Sequence, residues 1–291
     1  MKKLSRREFL GKSALGIGAA VMASQLPLDL QAGTIPEKYK LPLGFQTWTI
    51  RSMLAKDFPG TLKTMADMGY KSLEMCSPAG YATSGFGPLT KYSAKEMKQI
   101  INDAGLICES SHYVMDELRN HLDERIEFAL ASGQKQMILS MFGLPPKPTL
   151  SDWLKAADEL NGIGSKVKAA GLQMGYHNHD MEIDELEGKL IYDELMKQFD
   201  PDVIKMQFQV AVIRLGYKAS TYFAKYPGRF ISAHFADWSP EKKSEVPIGQ
   251  GIVDWDDLFK NIEKGGVKNI FVEMGMNTFK ESAEYLKKYL A

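Results

Sequence analysis

Four helix-patterned stretches of this chain stop at a glycine that leads straight into an apolar run: Gly69, Gly105, Gly133 and Gly171. A glycine at that point takes the left-handed conformation that ends a helix, and the short apolar run after it reads as a buried strand. Strand patterns at 43–50, 71–76, 106–113, 136–142, 173–180, 203–210, 230–238 and 269–275 alternate with helical patterns at 58–68, 93–104, 116–132, 151–170, 190–199, 218–226, 255–264 and 278–290. Ser93, with Glu96 three residues on, forms a capping box, and Ser151 caps a later helix. Eight such units in roughly 250 residues are the size of a (β/α)8 barrel. An open doubly wound sheet is the alternative, but no Gly-rich phosphate loop follows any strand, and the first strand runs into Thr49-Ile50-Arg51. The expectation is an α/β fold, a single (β/α)8 TIM barrel over 34–291.

Residues 1–33 read as an address rather than part of that fold. Ser5-Arg6-Arg7-Glu8-Phe9-Leu10 precedes a Gly/Ala-rich apolar stretch at 14–23, a pattern similar to a twin-arginine export signal. That stretch is well short of the roughly 20 residues a membrane-spanning helix needs. The expectation is export to the periplasm by the twin-arginine machinery, with cleavage after Ala23 or Ala32. Lys+Arg and Asp+Glu both number 36, so nothing favours nucleic acid or an anionic membrane as a partner. Cys76 and Cys108 read as small buried hydrophobes, with a disulfide open if their strands are neighbours.

A barrel of this kind places its active site at the carboxyl ends of its strands. The chain's unusual polar residues collect there. His177 and His179 are two apart in one strand pattern, so their side chains share a face. Glu74 ends the second strand, His112 lies in the third with Glu109, Gln207 and Gln209 lie in the sixth, His234 and Asp237 end the seventh and Glu273 ends the eighth. Each alone has a structural reading, as a satisfied core group or a helix cap. Together they carry a desolvation cost that pairing or a metal would offset. Mixed imidazole, carboxylate and amide donors suit one divalent ion of Mn, Zn, Co, Fe or Ni.

The motifs Gly175-Tyr176-His177-Asn178-His179-Asp180, Tyr226-Pro227-Gly228-Arg229-Phe230 through His234-Phe235-Ala236-Asp237, Gly249-Gln250-Gly251-Ile252-Val253-Asp254-Trp255 and Phe271-Val272-Glu273 resemble the sugar phosphate isomerase/epimerase family of xylose-isomerase-like barrels. The resemblance spans essentially all of 34–291. It implies one metal held from strands 5 to 8, here by His177, Gln207, His234 and Glu273. His177 stands where many members have Glu, and Gln207 where many have Asp. It also implies proton abstraction alpha to a carbonyl through an enediolate. Glu182, Glu74, His112 and His179 are the acid/base candidates. Trp48, Trp238, Gln209 and Asp237 are the candidates for contacting a sugar, with Phe86 a further stacking ring. Export and the missing phosphate loop favour an unphosphorylated sugar or keto-sugar. Elimination or hydration on 3-keto-glycosides is the rival chemistry, and a non-catalytic sugar-binding barrel is the third reading. A homodimer is common for such barrels.

Overall fold

A computed structural model of the chain describes residues 39–290. The export motif and the linker expected at 1–33 lie outside the described residues. Eight parallel strands close a barrel in sequence order: β1 Leu43–Gln46, β2 Ser72–Cys76, β3 Ile107–Tyr113, β4 Gln136–Leu139, β5 Gln173–His177, β6 Ile204–Gln209, β7 Phe230–Phe235 and β8 Asn269–Val272. β1 pairs with β8 through Leu43–Ile270, Gly44–Phe271 and Phe45–Val272, which completes the cylinder. Helices lie between the strands and bury their apolar stripes against the outer wall. The helix at Trp255–Gly265 buries Trp255, Leu258, Phe259 and Ile262, and Asp254 caps its start through Asp257 N–H. No helix among the described residues is long and apolar enough to cross a membrane.

The local signals act as their chemistry predicts. Ser93 and Glu96 form the reciprocal capping box of the Ala94–Asp103 helix. Gly133 ends the Leu122–Ser132 helix at φ 86°, a conformation that suits a residue without Cβ. The helix expected at 151–170 starts earlier, at Leu150, because Thr149 and Asp152 form its box and Ser151 lies inside it. The helix expected at 116–132 is two, Met115–Asn120 and Leu122–Ser132, broken at His121, whose side chain is exposed.

The strands are shorter than their apolar runs. β5 ends at His177, so His179 stands beyond the strand rather than in it. β7 ends at Phe235, and Asp237–Ser239 pairs instead with Ser244–Val246 in an antiparallel hairpin at the rim. Cys76 and Cys108 are both free thiols. At the foot of the barrel Gln136 donates across to Asn269 at 2.6 Å, and the apolar core fills the space between the strands and the helices.

Candidate active site

The carboxyl ends of the strands open on a cleft of about 500 Å³. His112, His177, His179, Gln209, Glu245 and Glu273 face it, with Trp48 and Cys76 in its wall. The register that puts Cys76 beside His112, and His177 beside Gln207, brings these groups to one level.

Beneath the floor lies Glu74, fully buried on β2. It accepts hydrogen bonds from Ser110 Oγ at 2.5 Å, Gln207 Nε2 at 2.8 Å and Gln46 Nε2 at 3.1 Å. Its Oε2 also lies 2.6 Å from His234 Nε2 and 3.1 Å from His112 Nε2. Burial would raise this carboxyl, but His112 and His234 outweigh burial and hold it well below the usual carboxylate range. The other nitrogen of His234, Nδ1, lies 2.9 Å from Glu273 Oε2. Burial disfavours the His234 imidazolium, yet Glu273 and Glu74 on either side push its pKa up to about 9. Burial likewise opposes ionisation of Glu273, and His234 pulls it down to about 2. The result is a continuous chain, Glu273–His234–Glu74–His112, whose two ends both line the cleft.

The other imidazoles are of the opposite kind. Burial, together with the neighbouring His234, His179 and His112, holds His177 well below the ordinary histidine range. Burial takes His179 down to about 4. The Nδ1 atoms of both are buried without a hydrogen-bond partner among the described residues. One ring nitrogen each from His112, His177 and His234 lies within 4.8 Å of the others. Three imidazole donors beside two carboxylates, one with an orphaned lone pair, fit a divalent transition metal.

Gln207 meets that cluster with its amide already hydrogen-bonded. Its Oε1 lies 2.6 Å from His112 Nε2, and its Nε2 donates to Glu74 and to Ser232 Oγ. The amide is used at both ends to fix the buried network, and His112 on β3 supplies the third imidazole. Glu273 faces the cleft beside the cluster, where Gln209 Nε2 donates to it at 2.8 Å.

Other expected residues are elsewhere. Glu182 does not reach the cleft. It is fully buried in a 3-10 turn at Met181–Ile183, accepting from Tyr176 Oη at 2.5 Å and from the His179 backbone N–H at 2.7 Å. Asp237 is a loop anchor and not a sugar contact. Its carboxylate accepts from the backbone N–H groups of Trp238, Gly249, Gly251 and Val253 and from Trp255 Nε1. A Cβ at Gly251 would sit 2.1 Å from that carboxylate, which is why the Gly-Gln-Gly turn approaches so closely. Trp238 sits on the rim hairpin and does not line the cleft. Phe86 is core, stacked on Trp48 with ring centroids 6.5 Å apart. Glu109 points outward and pairs with Lys135.

Glu245 was not foreseen from the sequence. The hairpin carries it over the cleft, and burial with Glu273 nearby raises its carboxyl. An acidic residue in a charged surface loop gives no local signal of this, because a rim hairpin, not a barrel strand, places it.

The profile of the xylose isomerase-like TIM barrel family matches residues 62–289. The chain belongs to that family. Two solved structures of sugar phosphate isomerase/epimerases from Parabacteroides distasonis ATCC 8503 superimpose on it. One has a TM-score of 0.71 and 24% identity, covering 87% of this chain and 96% of that one. The other has a TM-score of 0.69 and 25% identity, covering 84% and 97%. An inosose dehydratase of Lacticaseibacillus casei is 27% identical over 175 residues, 52% of this chain and 58% of the relative. The chain thus spans little more than half the length of the curated relative it matches.

Proposed function

We propose that the cleft is the active site of an isomerase or epimerase that moves a proton alpha to a carbonyl of an unphosphorylated sugar or keto-sugar. One observation carries this reading. A neutral imidazole, His179, and an ionised carboxylate, Glu273, share one cleft beside the clustered imidazoles of His112, His177 and His234. Groups whose environments push their protonation states apart are what acid/base chemistry near neutral pH requires.

His179 and Glu273 take and return the proton at the substrate carbon. Gln209 lies beside Glu273 to hydrogen-bond a hydroxyl, and Trp48, its ring covered by Arg51 and stacked with Phe86, stands in the cleft wall. His112, His177 and His234, the last after losing the proton it shares with Glu74 and Glu273, would hold a divalent metal, which would supply Lewis acidity toward the substrate's carbonyl and hydroxyl oxygens. Among the described residues the cleft lining contains no Lys or Arg, and its two carboxylates, Glu245 and Glu273, would repel a phosphate dianion. That charge pattern supports an unphosphorylated substrate. The Arg6-Arg7 motif supports the same reading through export to the periplasm.

The dehydratase relative favours elimination as the second reading, on a keto-sugar or a 3-keto-glycoside. Incubation of metal-loaded protein with ketohexoses and 3-keto-glycosides in D2O separates the two. One deuterium gained with the skeleton intact indicates isomerisation or epimerisation. Loss of water or of the aglycone indicates elimination. Binding with neither deuterium uptake nor loss of water or aglycone from any of these substrates overturns both and leaves a sugar-binding barrel.

A further inference from the structure

The ring of His179 stands in the cleft with no hydrogen-bond partner on Nδ1 among the described residues, packed edge-on against His177 with centroids 4.7 Å apart at 88°. Nothing bonded to Nδ1 fixes that ring. Its place is set by the backbone that carries it, and that backbone has already left the strand, which ends at His177. Segments outside regular structure hold their geometry through whatever satisfies their polar groups.

Two side chains do this here. Asn178 accepts from Gln209 N–H and donates to the His179 carbonyl, each at 3.2 Å. Glu182 accepts the His179 N–H on one carboxylate oxygen and the Tyr176 hydroxyl on the other. Tyr176 lies on the outer face of β5, packed on Phe142 with centroids 4.4 Å apart, so it is a rigid post. Met181–Ile183 is a single 3-10 turn, closed by Ile183 N–H on the Asp180 carbonyl. This turn brings the carboxylate back beneath the residue it holds.

We propose that Glu182 is the positioning residue of His179, tying the backbone of the cleft histidine to the Tyr176 post on the outer face of the barrel wall. Its value to catalysis rests on the acid/base reading of His179, but the tether itself is testable without a substrate. Glu182→Gln keeps one acceptor for the His179 N–H and an amide for the Tyr176 oxygen. Glu182→Leu keeps the volume in a buried setting and removes both tethers.

The chain has five histidines, so a protein labelled with 15N-histidine gives a spectrum in which each ring is resolved and assigned by single substitution. The wild type and Glu182→Gln are expected to show a cross-relaxation peak between the His177 and His179 rings. In Glu182→Leu that peak should vanish and the His179 signals shift or broaden, while those of His121 stay in place. An unchanged His179 in Glu182→Leu overturns the proposal, and so does a Glu182→Gln spectrum that matches Glu182→Leu. Should Glu182→Leu fail to fold, Tyr176→Phe removes the post's hydroxyl alone. His179 must then shift or broaden, and an unmoved ring overturns the tether. None of these readouts involves turnover, so a failed tether and a failed acid/base reading are told apart.

Discussion

At the scale of single residues the molecule turns on a buried carboxylate. Glu74 meets five side chains, and two of them are histidines that hold it ionised. Removing one partner of a buried charged pair strands the other and typically costs about 3–5 kcal/mol. Glu74→Ala should therefore lower unfolding stability by about that much, read from urea titration, and a loss under 1 kcal/mol would mean the network is not coupled to folding. A second prediction concerns Gln207. If His112, His177 and His234 are the ligands, His112→Ala and His177→Ala should abolish Zn²⁺ or Co²⁺ binding measured by calorimetry. Gln207→Leu removes a group that orients His112 and braces Glu74 and Ser232, and such outer contacts are worth about 10–100-fold in affinity. The reverse ranking would restore Gln207 as the ligand.

At the scale of elements, the loops after β5 and β7 are each folded around one carboxylate. Burial raises Glu182 to about 7, against Tyr176 and His179 N–H contacts that favour the ionised form. A carboxyl whose folded pKa lies above its unfolded value binds protons more tightly in the fold. Stability is therefore greatest while it is protonated and falls as pH rises from about 4.5 to about 7. The span of some two and a half pH units is worth about 3 kcal/mol. Glu182→Gln mimics the protonated form, so its stability relative to the wild type should rise between pH 5 and pH 8 by up to that amount. A difference that is flat with pH would show that Glu182 titrates normally. After β7, Asp237 collects four backbone N–H groups and one indole N–H. Asp237→Ala orphans all five, and hydrogen exchange should quicken at Gly249, Gly251 and Val253 while the β7 amides stay protected. Uniform exchange across both regions would instead indicate global destabilisation.

For the whole molecule, the barrel was legible because it is written in repeats. Each glycine-ended helix and each apolar strand run reports the same unit, and eight of them leave little choice of closure. The strand-end polar residues were legible for the same reason: Glu74, His112, His177, Gln209 and Glu273 stand where a strand's end puts them. Glu182, Asp237 and Glu245 were not, since their partners are set by the path of loops that no short period encodes. The Asp237 carboxylate reaches groups 12 to 18 residues downstream, to Trp255. The hydrogen bonds of Gln207 were not legible, because strand position gives the direction of a side chain but not which neighbour claims its amide. The same closure makes the whole fold a reporter of its centre. Ligands of a site joining β3, β5 and β7 bind the closed barrel and not the unfolded chain, so binding stabilises the fold as a whole. At 100 times the dissociation constant that gain is about 2.7 kcal/mol, and a domain of this size moves its midpoint roughly 2–4 °C per kcal/mol. Saturating Co²⁺ or Zn²⁺ should then raise the thermal midpoint by roughly 5–10 °C. Mg²⁺, which prefers oxygen donors, should do so weakly. His177→Ala should unfold at the same temperature with and without the metal. An equal rise with Mg²⁺, or a rise that survives His177→Ala, would place the cation away from the three imidazoles.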